Sequence, residues 1–543
     1  MKALFCVLCT CISITSVIAQ RPKLVVGIVV DQMRQEYLYR FDSKFGVGGF
    51  KRLTGDGFML TNAHYNYVPT ETGPGHASIY TGTTPSIHGI VANDWYDRSL
   101  KKDVNCVGDP DQKPVGSDVN GSNSPWRLIS STITDELKLA TQSRSKVIGI
   151  SIKDRGAILP AGHNPDGAYW YDIKTGNFIT STYYMSALPD WVTRFNQQRI
   201  ADRYLGLEWK PILPIEQYTE VGPDDSPYEV KYNGKDKPTF PYRLNELRKQ
   251  KSDYELLGYS PFGNNYIADF AKVALEEEKL GKDDVTDFLA VSFSCTDKVG
   301  HQVGPNSVEV EDIYIRLDKT LEEFLTFLDE KVGEGAYTVF LTADHGVVEV
   351  PQSLKDKKIP AGNMSIANLE VSVNDFLQKY FPGKKVVEKM SSEQIYLNSE
   401  AFSSDVKSSG VDLLIATELI TQFLLSRDGV ADVYPKSILR QTPFDEQSIK
   451  GKVLRGFHAK RCGDIAFVLE PNWLPWPNPT GTGHGSPYTY DTHVPMIFYG
   501  AGIRKGTSSR PHVITDIAPT LSVLLKIKFP NGTTGQPISE ILD

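Results

Sequence analysis

"KLVVGIVVD", residues 23–31, sets seven apolar or glycine residues between a lysine and an aspartate. A strand with one wet face alternates polar and apolar residues. This one does not alternate and is rich in β-branched side chains, so it predicts a strand covered on both faces. The same pattern recurs in "SKVIGISIKDR" (145–155), "DFLAVSFSCTD" (287–297) and "AYTVFLTADH" (336–345). Helical periodicity separates these runs. It is clearest between Ile313 and Val332, where Leu317, Leu321, Phe324, Leu325 and Leu328 recur at spacings of three and four. Alternating strand and helix predicts an α/β fold: a central, mostly parallel sheet with helices on both faces. Ligand sites in such sheets gather at the carboxyl ends of the strands. Each run here ends in residues that carry chemistry: Asp31, Lys153-Asp154-Arg155, Asp297, and Asp344-His345.

Two stretches break the rhythm, at about 160–285 and about 355–480. The first is rich in Tyr, Trp and Pro, the second holds a further set of helices and strands and closes with a Pro/Trp segment, and both read as insertions that cap or wall the site. Residues 1–19 have one early lysine, an apolar run and small residues before Gln20. That is the pattern of a secretory signal peptide and predicts a periplasmic or secreted protein, with residues 20–543 as one large domain. The chain is mildly acidic, with a net charge of −8, which gives no reason to expect nucleic acid or an anionic membrane as partner. Beyond the leader remain Cys106, Cys295 and Cys462, an odd set that allows at most one bridge. A chain this long draws its stability from a large core.

Metal-capable residues cluster at the strand ends. Asp297 and His301 are four apart, which would put them on one helix face; Asp344 and His345 are adjacent at a strand end. "GTGHGSP" (481–487) holds His484 between glycines, where backbone can approach a ligand closely. With Asp31 this is a carboxylate and imidazole set suited to zinc; three protein ligands and an open position make a catalytic centre. Taken singly, each has a plainer reading, as a helix cap, a turn residue or a surface pair. Thr72, in "YVPTETGPGHASIYTG" (67–82), is likewise either a helix cap or a nucleophile at a helix N-terminus. His64, His88, His163, His458 and His512 read as structural or solvated. His76 and His493 read as residues that support a site.

These motifs carry a resemblance. "VVDQMR", "ETGPGHASIYTGTTPSIHGI", "ANDWYD", "SIKDRGAILPAG", "CTDKVGH", "LTADHG", "GTGHGSPYTYDTHVPMIFYGAGI" and "TDIAPTLSVLL" resemble, in order and separation, the alkaline phosphatase superfamily and within it the threonine-type, phosphate-irrepressible enzymes of the PafA kind. The resemblance implies two zinc ions per chain and no required magnesium. One zinc would be held by Asp297, His301 and His484, the other by Asp31, Asp344, His345 and Thr72. It implies that Thr72 attacks phosphorus and becomes a transient phosphothreonine, with Asn93, Lys153 and Arg155 on the transferred phosphoryl group. The substrates would be small phosphate monoesters of broad range, with inorganic phosphate as product and a monomer as the working form. A dianionic monoester calls for more cations than a monoanionic diester, and the Lys153/Arg155 pair supplies them. The alternative is a nucleotide pyrophosphatase/phosphodiesterase of the same superfamily. A sulfatase lacks support near Thr72, where its modified Cys or Ser motif is missing. An export leader argues against a phosphoglycerate mutase, and a secreted binding scaffold would not need a complete nucleophile, ligand set and clamp.

Overall fold

The computed structural model describes residues 21–542 apart from 251–253, 403–405, 442–444 and 446–447; the expected leader over 1–19 lies outside the described residues. The main sheet has eleven strands. In chain order they are β1 (Leu24–Val30), β2 (Phe58–His64), β3 (Pro114–Val115), β4 (Val147–Ser151), β5 (Gly167–Tyr171), β6 (Phe178–Ser181), β7 (Asp287–Phe293), β8 (Tyr337–Thr342), β9 (His493–Gly500), β10 (Gly506–Ser508) and β11 (His512–Val513). Their spatial order is β10-β2-β9-β8-β1-β7-β4-β5-β6-β3, with β11 also beside β2. The centre, β8-β1-β7-β4-β5, is parallel throughout, as expected. The flanks turn antiparallel, β9 against β8 and β6 against β5, while the short β10 and β11 run parallel to β2. Every residue of β1, β4, β7 and β8 is buried, because helices cover both faces.

Five helices matter for the site: α1 (Thr72–Thr81), α2 (Asp154–Ala161), α3 (Phe262–Glu277), α4 (Cys295–Val303) and α5 (Val308–Lys331). α1 lies tight against β1. A side chain at Gly27 would put its Cβ 2.4 Å from the Tyr80 hydroxyl, so the strand must carry glycine there. In α5 the predicted stripe of Leu317, Leu321, Phe324, Leu325 and Leu328 is wholly buried. The helix starts earlier than its periodicity suggests, since the Ser307 hydroxyl accepts from Val310 N and caps it. The acidic residues of those added turns, Glu309, Glu311 and Asp312, are buried.

The stretch at about 160–285, read as an insertion, gives β5 and β6 to the main sheet and α3 to its cover. The stretch at about 355–480 folds differently. Its four-stranded antiparallel sheet (Val387–Ser391, Gln394–Leu397, Ile465–Leu469, Val430–Pro435) packs with Ile366–Leu377 around a hydrophobic cluster separate from the main core. Cys106, Cys295 and Cys462 are all buried free thiols, so the one bridge the sequence allowed does not form.

Candidate active site

The carboxyl ends of β1, β7 and β8, with the His484 loop, bring the expected residues to one place. Asp31 follows β1, Asp344 and His345 follow β8, and Asp297 and His301 sit one turn apart on α4. His301 Nε2 is 3.1 Å and His484 Nε2 3.6 Å from Asp297 Oδ1. His345 Nε2 is 3.4 Å from Asp31 Oδ1 and 3.7 Å from Asp344 Oδ1. Single ligand atoms of Asp31, Asp344 and His345 fall within 4.8 Å of one another, and so do those of Asp297, His345 and His484. The two groups touch where the His345 and His484 rings stack, 3.5 Å between centroids.

The three imidazoles share one arrangement. Nδ1 of His301 bonds the Thr482 carbonyl (2.7 Å), Nδ1 of His345 that of Gly346 (2.8 Å), and Nδ1 of His484 that of Thr70 (2.7 Å). A carbonyl only accepts, so each Nδ1 carries a proton; Nε2 of His345 and His484 turns a lone pair to the cluster, while burial of His301 is outweighed by Asp297, which raises that ring above its ordinary value. Burial also keeps two of the rings neutral, pushing His345 down to about 4 and His484 well below its ordinary value. Asp31 Oδ1 and His345 Nε2 are buried with no hydrogen-bond partner among the described residues. Uncharged Nε2 donors, carboxylate oxygens and unmet buried polar atoms fit a pair of divalent cations such as zinc.

Thr72 opens α1 directly behind extended Glu71, and Pro74 is tolerated because it sits in the first turn. The helix therefore aims its positive end at whatever binds Thr72. Lys153 follows β4, and its ammonium reaches Thr72 Oγ1 (3.2 Å), Asp31 Oδ2 (2.7 Å) and Asp297 Oδ2 (2.7 Å). Burial works against its charge, but those carboxylates more than offset it and raise the ammonium above its usual range. For Asp297, burial is likewise outweighed: His301 and Lys153 hold the carboxyl well below its ordinary range. Arg155, in the first turn of α2, keeps a buried Nε without a hydrogen-bond partner and stands close enough to Asp31 and Asp297 to feel their charge. Asn93 accepts from Gly73 N through Oδ1 (2.7 Å), which fixes it beside the start of α1.

Three supporting residues emerge from the fold. Glu71 Oε2 accepts from Asn93 N (2.6 Å) and fixes the asparagine beside Thr72; burial pushes its carboxyl up to about 6. Gln32, at φ +63°, donates its amide to Asp297 Oδ1 (2.7 Å) and its backbone N–H to Asp344 Oδ1 (3.1 Å), joining the two groups. Nothing in sequence marks a glutamine as left-handed; its only signal was adjacency to Asp31. His76 bonds Thr72 O (2.9 Å) and Ser292 Oγ (3.0 Å) and lies 3.4 Å from Asp344 Oδ2. His493 instead stacks on His64 and bonds Thr61 O, away from the ligand set.

Comparison with known proteins agrees with this geometry. The sequence model of the type I phosphodiesterase / nucleotide pyrophosphatase family matches residues 25–493. The chain is 44% identical to the alkaline phosphatase PhoV of Synechococcus elongatus, over 96% of this chain and 93% of that protein. It is also 44% identical to the alkaline phosphatase PafA of Elizabethkingia meningoseptica, over 96% and 95%. A crystal structure of wild-type PafA superposes with a TM-score of 0.92 at 43% identity, covering 96% of this chain and 99% of that one. The chain belongs to the type I phosphodiesterase / nucleotide pyrophosphatase family of the alkaline phosphatase superfamily.

Proposed function

We propose that this protein is an alkaline phosphatase that hydrolyses phosphate monoesters of broad range through a phosphothreonine at Thr72, with two bound zinc ions. The observation that carries the reading is the buried Lys153 ammonium, 3.2 Å from Thr72 Oγ1 and bonded to Asp297. Full-length similarity to two alkaline phosphatases supports the same reading.

Asp297, His301 and His484 would hold one zinc, and Asp31, Asp344, His345 and Thr72 the other. So bound, the metals supply Lewis acidity at the attacking and departing oxygens. Thr72 Oγ1 attacks phosphorus in line. The bond from phosphorus to the leaving oxygen breaks as the bond to Thr72 forms, and water later cleaves the phosphothreonine. The α1 N-terminus and the Lys153 ammonium stabilise negative charge on Oγ1. Lys153, Arg155 and the Asn93 amide bind the non-bridging oxygens and exclude water from them. Small phosphate esters are the partners this site accepts, and one chain contains every group named. Among the described residues no helix is long and apolar enough to cross a membrane. Export to the periplasm or medium rests on residues 1–19 alone.

The test is a zinc-loaded comparison of phenyl phosphate with bis(p-nitrophenyl) phosphate. Monoester turnover should dominate, vanish on chelation and return with zinc. Thr72→Ala should abolish multiple turnover while zinc stays bound. Dominant diester turnover would move the assignment to the phosphodiesterases.

A further inference from the structure

Lys298 is one residue beyond Asp297 on α4, and the monoester reaction does not use it. Its ammonium stands over the Tyr259 ring, 4.8 Å from the centroid, with no carboxylate within ion-pair distance among the described residues. A partly buried lysine with no anionic partner is held at a cost.

The lysine lines a cavity of about 510 Å³ that also includes Lys153, Arg155, Asp154 and Glu255. That is the size of a small-molecule site. Three cations face two carboxylates there. Asp154 is already engaged, accepting from Asn123 Nδ2 (3.0 Å) and Arg155 N (2.7 Å), with Arg155 Nη1 at 3.6 Å. Arg155 Nε is a buried donor without a hydrogen-bond partner. Lys153 links the cavity to the reaction centre, since the same ammonium reaches Thr72. The cavity therefore offers an unmatched ammonium beside the phosphoryl clamp.

We propose that Lys298, with the outer edge of Arg155, forms a subsite for a second phosphate-type dianion next to the transferred phosphoryl group. Its occupant is either a second phosphoryl group on the leaving side of the substrate, as in inorganic pyrophosphate, or free inorganic phosphate. With pyrophosphate the balance is simple. The bond between the transferred phosphorus and the bridging oxygen breaks, the bond to Thr72 Oγ1 forms, and orthophosphate leaves with the bridging oxygen, the electron pair and the proton given up by the Thr72 hydroxyl. A dianion on Lys298 would hold that departing group.

The inference rests on the monoester reading, and the wild-type enzyme separates the two. Failure to hydrolyse phenyl phosphate at all would sink that reading without any variant. The subsite is tested with zinc-loaded full-length wild type, Lys298→Met and Lys298→Arg, checked for zinc content and thermal transition. The readouts are kcat/KM for pyrophosphate and for phenyl phosphate, and competitive inhibition by inorganic phosphate. Loss of a charged hydrogen bond should lower the pyrophosphate-to-phenyl phosphate ratio about tenfold or more in Lys298→Met, with recovery in Lys298→Arg. An unchanged ratio with phosphate inhibition weakened about tenfold would keep the subsite and make free phosphate its occupant. No change in either readout would overturn the proposal. So would equal losses on both substrates accompanied by zinc loss, which would reduce Lys298 to a support for Asp297.

Discussion

Lys153→Ala is the sharpest probe of the clamp. The ammonium lies 2.7 Å from Asp31 Oδ2, 2.7 Å from Asp297 Oδ2 and 3.2 Å from Thr72 Oγ1, on a side chain only 8% exposed. An oxygen on phosphorus bonded to Thr72 comes within about 4 Å of it, where one unit charge is worth about 4 kcal/mol at an effective dielectric of about 20. Desolvation takes back part of this, and charged hydrogen bonds contribute about 1.5–3 kcal/mol net. A monoester dianion carries one more charge than a diester monoanion. The substitution should therefore cost the monoester about 2 kcal/mol more, or roughly thirtyfold in relative kcat/KM. The assay is kcat/KM for phenyl phosphate and bis(p-nitrophenyl) phosphate, on wild type and variant brought to equal zinc content. Equal fractional losses on the two substrates would refute the argument, because a lysine that only neutralises Asp31 and Asp297 would serve both alike.

Stability should fall as pH rises from about 4.5 to about 8 because of Glu311: burial, then the facing Glu220, raises its carboxyl from 4.5 to about 8 against the opposing pull of Lys44 and Arg40. In that window the folded chain holds a proton the unfolded chain has released, so this group alone takes away about 1.4 kcal/mol per pH unit and then levels off. Glu311→Gln should flatten the urea midpoint against pH by that amount, and an unchanged slope would reject the account. Gly75→Ala would place a Cβ 2.5 Å from the Asp344 carbonyl oxygen and 2.8 Å from its Cβ. Displacing that strand end should weaken zinc binding about tenfold or more at unchanged helix content; full zinc occupancy at limiting metal would contradict it. Glu71→Gln removes a carboxylate but keeps an acceptor for Asn93 N, whereas Glu71→Ala removes both. Monoester kcat/KM should fall several-fold more in the alanine variant, and equal values would separate Glu71 from the positioning of Asn93.

Sequence alone decided the layered architecture and the chemistry at its edge. Unalternating β-branched runs form strands only where both faces are dry, so "KLVVGIVVD" and its three counterparts announced a covered parallel sheet. The polar residue ending each run had to lie at the strand's carboxyl end, which is why Asp31, Lys153, Asp297 and Asp344 could be named together. The tertiary structure decided what depends on distance between segments far apart in the chain. Only folding brings the Thr70 and Thr482 carbonyls to Nδ1 of His484 and His301 and so turns those Nε2 atoms inward. Only folding gives Gln32 its left-handed backbone and makes it a tie between Asp297 and Asp344. It also buries Glu309, Glu311 and Asp312, because burial follows from what packs against a residue and a local sequence window does not contain that partner.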